Sequence, residues 1–191
     1  MIDLDMPRGK QFELGVLGVT GEKESTRPQY YDYEESLNQV IKMNWANFER
    51  SKTGELEWHD PVNPSMGMTA QIWNAVQRNL LVFLEEPNEP NPLNFYVSVG
   101  YNSLDYYHGV DAFFWWYGVV ATIDLSLINK NREGKCKADF LLMPHDLQGE
   151  SLALFGQHIA LFLEREFLTK KIREIEKKRH ALHHLSDYLH Q

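Results

Sequence analysis

Between Tyr33 and Arg50, Leu37, Val40, Ile41, Asn44, Trp45 and Phe48 recur at the spacing that turns one side of a helix toward a core. The same period returns from Thr69 to Glu85, with Ile72, Trp73, Val76, Leu80, Phe83 and Leu84 on one face. It appears again after Gly149, where Leu152, Phe155, His158, Ile159, Phe162, Leu163 and Phe167 form a stripe. Beyond Phe167 this long C-terminal helix turns polar, leaving Ile172, Ile175, Leu182 and Leu185. Between the second and third helices the pattern changes to aromatic and β-branched runs. Phe95–Val99 and about 109–117, 119–128 and 136–143 read as strands. Pro87-Asn88-Glu89-Pro90-Asn91-Pro92 stops the helix before them, and Pro144-His145-Asp146 closes the sheet. Near the start, Phe12, Leu14, Val16 and Val19 suggest a short strand, followed by a linker from Gly21 to Pro28. The pattern predicts an α+β fold, an antiparallel β-meander flanked by helices. Its expected organisation is an N-terminal extension (1–28), a single core domain (29–168) and a helical tail (169–191).

Two carboxylates interrupt the most apolar part of the meander. With Tyr117-Gly118 as a two-residue loop, paired positions sum to 235 and Asp111 faces Asp124. Directly opposed residues have Cβ atoms about 4.5–5.5 Å apart, and like charges there are destabilising unless something cationic joins them. A three-residue loop bulged at Gly118 shifts the pairing by one and sets Asp111 against Ile123. Centring the next loop, Asn129–Gly134, pairs Ser126 with Lys137 and Asp124 with Asp139. Asp111, Asp124, Ser126, Lys137 and Asp139 then share one sheet face. Three carboxylates and one ammonium make a hard-cation site, suited to Mg²⁺ or Mn²⁺.

Gly109-Val110-Asp111, a dozen intervening residues and then Ile123-Asp124-Leu125-Ser126 resemble the PD-(D/E)XK nuclease superfamily. The resemblance covers about residues 68–165 and implies a restriction-endonuclease-like core that hydrolyses phosphodiesters in nucleic acid. Asp111 then matches the first metal-binding acid and Asp124 the second. Ser126 stands where the family lysine belongs, and Lys137 is the relocated lysine that the register offers. Lys130 shares the parity of Asp124 but lies six residues along, roughly 20 Å at strand rise, which makes it the weaker choice. For the helical glutamate often found upstream, Glu34, Glu35, Glu49, Glu85 and Glu86 are all available.

A net charge of −8 argues against broad, non-specific nucleic-acid binding, which phosphate contacts dominate. Residues 164–191 carry seven Lys/Arg against five acids, net +2, so the remainder is −10. An acidic body with a mildly basic tail leaves a second reading open. This is a non-catalytic interaction protein, nuclease-derived or phage-type, with a protein partner or a homodimer formed through the C-terminal helix. No run of about 18 apolar residues predicts a membrane span, and the first residues lack the pattern of a signal peptide. With Cys136 as the one cysteine, a cytoplasmic protein is expected. His180, His183, His184 and His190 read as surface residues rather than metal ligands, and His108, beside Asp105, is a lesser candidate for proton transfer.

Overall fold

The computed structural model describes residues 8–18, 27–65, 67–80, 93–100, 102–130 and 136–189, with 183–189 as backbone alone. Its elements are α1 (Arg8–Leu17), α2 (Tyr33–Lys52), α3 (Gly67–Gln77), β1 (Asn94–Val97) and α4 (Ser103–His108). They continue with β2 (Ala112–Trp116), β3 (Val119–Leu125), β4 (Phe140–Leu142), a 3-10 turn (Pro144–Leu147) and α5 (Gly149–Leu189). The fold is α+β with a mixed sheet, ordered β1-β2-β3-β4. Among the described residues no helix is long and apolar enough to cross a membrane.

Alternation along the strands divides the core into two layers. Phe95, Val97, Ala112, Phe114, Ile123 and Leu142 meet α1, α3 and α5 on one face. On the other, Tyr96, Phe113 and Val110 meet Leu37 and Val40 of α2 and Leu104 of α4. Helix α2 starts where Asp32 Oδ1 accepts the Glu35 N–H at 2.9 Å, with Glu34 and Glu35 in its first turn and Arg50 and Lys52 in its last. Both features suit the helix dipole. Farther along α2, the buried Asn44 serves β1 directly. Its Nδ2 donates to the Val97 carbonyl at 2.8 Å and its Oδ1 accepts the Val97 N–H at 3.1 Å. Phe95 N–H donates to the Pro61 carbonyl, and His59 Nε2 donates to the Phe95 carbonyl. The outer edge of β1 is therefore capped and cannot template another strand.

Antiparallel pairs Ala112↔Ile123 through Trp116↔Val119 fix the predicted two-residue loop. Tyr117 (φ 47°) and Gly118 (φ 74°) both take the left-handed conformation that a type I′ turn requires. Tyr117 accepts it because its ring packs on Trp116 and Phe167, with centroids 5.3 and 5.5 Å away. The next strand overturns the expected pairing: β4 runs parallel to β3, Asp124 aligns with Leu141, and the chain is irregular at 136–139. The alternation places Phe140 and Leu142 beneath α5 in either direction, so the pattern determines their face and not their orientation. The expectation at the N-terminus is also corrected. The N-terminal strand is helix α1, with Leu17 buried against the core. The stretch before Asp111 forms α4, capped by Asn102, whose side chain accepts the Leu104 and Asp105 N–H groups, and ended by left-handed Gly109. The helix expected over 69–85 spans 67–77, and residues 81–92 lie outside the described residues.

Candidate functional site

Asp111 follows the αL glycine that ends α4 and sits one residue before β2. Its backbone is clamped: the N–H donates to the Ile123 carbonyl and the C=O accepts the Ser98 N–H, each at 2.8 Å. Regular pairing lapses at this point, and the Leu125 N–H turns to Asp111 Oδ2 at 2.7 Å. Asp111 and Asp124 are each only 4% exposed. Both lie near the end of the hairpin opposite its turn, and the charge of Asp124 is one of the influences on Asp111.

Lys130 completes the pair. Strand β3 ends at Leu125, and Ser126 Oγ accepts the Ile128 N–H while the Lys130 N–H donates to the Ile128 carbonyl. These bonds turn the chain back, so Lys130 Nζ lies 2.8 and 3.0 Å from the two Asp124 oxygens. The straight-strand extrapolation that set Lys130 aside fails at this turn. Burial opposes the Lys130 ammonium, but the hydrogen bond and charge of Asp124, with Asp111 and Glu13 behind it, raise its pKa. Lys130 is thus a held cation rather than a neutral base.

Helix α1 brings charges that the pattern did not assign. Lys10 Nζ bonds Glu13 at 2.9 Å and Asp105 Oδ2 at 2.8 Å, and that same oxygen accepts the Gly100 N–H. Burial raises the Glu13 pKa against the pull of Lys10. Burial, first, and then Glu13 and Asp105 push the Asp111 carboxyl well above the ordinary aspartate value, while the Leu125 hydrogen bond acts in the opposite direction. Four carboxylates, Glu13, Asp105, Asp111 and Asp124, thus stand against two ammonium groups, Lys10 and Lys130.

The other expected members lie elsewhere. Asp139 Oδ2 accepts both the N–H and the hydroxyl of Thr122, and its own N–H donates to Thr122 Oγ1. That clasp belongs to the parallel register and holds Asp139 beside Thr122 instead of opposite Asp124. Lys137 is exposed, and its Nζ donates to the Tyr107 carbonyl at 3.1 Å. Its expected pairing with Ser126 required the antiparallel hairpin that does not form. His108 Nε2 donates to the Tyr31 carbonyl, and its ring packs against Tyr30 and Tyr33. Among the proposed glutamates, Glu85 and Glu86 lie outside the described residues, and Glu49 is engaged by Lys52. The side chains of His183, His184 and His190 also lie outside them. Glu13 went unrecognised because Phe12, Leu14 and Val16 alternate like a strand; its i,i+3 spacing from Lys10 was the available helical signal.

The chain matches no protein-family model, and neither a curated protein nor a solved structure is significantly similar to it.

Proposed function

We propose that the protein is a metal-dependent nuclease-like hydrolase built on a restriction-endonuclease-like core. Asp111, Asp124 and Glu13 are its acidic groups, and Lys130 takes the role of the family lysine. One observation carries this reading: a chain of net charge −8 buries Asp111 and Asp124 together at one end of its most apolar hairpin. Such crowding works against folding unless a cation is bound. Three antiparallel strands, a fourth parallel one and helices on both faces support the same core.

The residues fit Mg²⁺ or Mn²⁺ in kind, since the donors are carboxylate oxygens in excess over the neighbouring ammonium groups. Among the described residues no three acidic, histidine or cysteine groups converge as a ready-made cage. This is compatible with an ion that uses one or two carboxylates and keeps its waters. Asp111 and Asp124 would hold it, and it would contribute Lewis acidity toward a phosphodiester oxygen and an acidified water. Burial, then Glu13 and Asp105, raise the pKa of the Asp111 carboxyl, the direction that favours its taking up a proton. Lys130 turns N–H groups from Asp124 toward the charge that develops on the phosphoryl oxygens.

Cleavage of single-stranded, duplex and branched nucleic acids with Mn²⁺ tests this reading. Wild type is expected to cleave one of them, Lys130→Ala to lose about 10²–10³-fold in rate, and Lys137→Ala to retain activity. Full activity in Lys130→Ala would remove the lysine assignment. An inert wild type would favour the second reading, a non-catalytic interaction protein. That reading has its own support in Lys130, which already satisfies both Asp124 oxygens.

A further inference from the structure

Helix α5 is apolar on two opposite sides. Ile159, Leu163 and Phe167 pack into the core. Leu154, Leu161, Leu168, Ile175 and Leu182 recur every seven residues and are 52, 53, 59, 65 and 67% exposed. Leu161 precedes the buried Leu163 by two positions, about 200° of helical turn, so the second stripe faces away from the body. Its five positions span roughly 42 Å of helix.

We propose that this stripe pairs with α5 of a second copy in a parallel, two-stranded coiled coil. A strict seven-residue period is the pattern that keeps a seam facing another helix through a left-handed supercoil. The charges beside the seam favour a second copy as that helix. With the stripe at the d positions, Lys171 of one chain lies against Glu176 of the other, and the two-fold axis repeats the pair. Ile172 adds an apolar residue on the adjoining row and is 56% exposed. Arg165 and Arg179 on that row narrow the seam, so the pair dissociates on dilution. Because each body packs on the far side of its own helix, two copies approach along the stripe without meeting. This inference does not depend on the hydrolase reading.

Sedimentation of the full chain over a dilution series tests it. Wild type is expected to be a dimer at about 100 μM and a monomer well below micromolar concentration. A Leu161→Glu/Leu168→Glu double variant should remain monomeric throughout, with unchanged far-ultraviolet circular dichroism because both positions lie outside the core. In a Cys136→Ser background, Leu168→Cys should form an interchain disulfide on oxidation, as in-register parallel helices require. A monomeric wild type at about 100 μM or a dimeric double variant would overturn the proposal. Absence of the Leu168→Cys crosslink in a dimer would overturn its parallel geometry.

Discussion

At Asp111 the backbone is satisfied on both sides and Oδ2 has the Leu125 N–H, but the charge itself is disfavoured. Burial, followed by Glu13 and Asp105, raises its folded pKa above the usual 3.8. The resulting stabilisation is fully present below about pH 3.8 and is lost as pH rises through the folded value. Asp111→Asn keeps an acceptor for Leu125 and removes the charge. It is therefore expected to be more stable than wild type at pH 7, with a smaller gain at pH 4, in urea unfolding at both. A destabilised Asn variant at pH 7 would refute this account of the site. Asn44 makes the opposite prediction. Asn44→Ala strands the Val97 N–H and C=O in the core, at about 1–3 kcal/mol for each unsatisfied group, measurable in the same denaturant series. A loss under about 0.5 kcal/mol would mean that water replaces the amide. The two-residue loop between β2 and β3 was legible because two aromatic and β-branched runs meet at Tyr117-Gly118. Lys130 was not, because its approach depends on hydrogen bonds made after the strand has ended.

Among the elements, the close approach of α3 and α5 depends on Gly156. A Cβ there would stand 2.4 Å from both the carbonyl carbon and oxygen of Ala75, too close for a flexible side chain to absorb. Gly156→Ala should lower stability by about 1–3 kcal/mol through overpacking, and thermal unfolding at neutral pH reads it directly. A neutral result would mean that the helices separate freely. Helices α2, α3 and α5 were readable because each buries one continuous stripe. Strand β4 was found, but its direction was not, since alternation is the same for parallel and antiparallel neighbours. Helix α4 had its signals in Asn102 and Gly109, a cap at each end, but it is too short to display a period. The seven-residue leucine stripe of α5 was overshadowed by the core stripe of the same helix.

For the whole molecule, the charge distribution and the buried acids make one claim together. The acidic body gathers Glu13, Asp105, Asp111 and Asp124 around two ammonium groups, and the proposed function requires that a divalent ion add to what Lys10 and Lys130 already supply. An ion that binds only the folded state stabilises it by mass action, about 1.4 kcal/mol at ten times its dissociation constant. For a chain of this length that is about 3–5 °C in Tm. The most direct measurement is thermal unfolding of wild type and Asp124→Asn with and without Mn²⁺. A rise in wild type that is absent from Asp124→Asn is the predicted result. No rise in wild type, or an equal rise in both proteins, would contradict it.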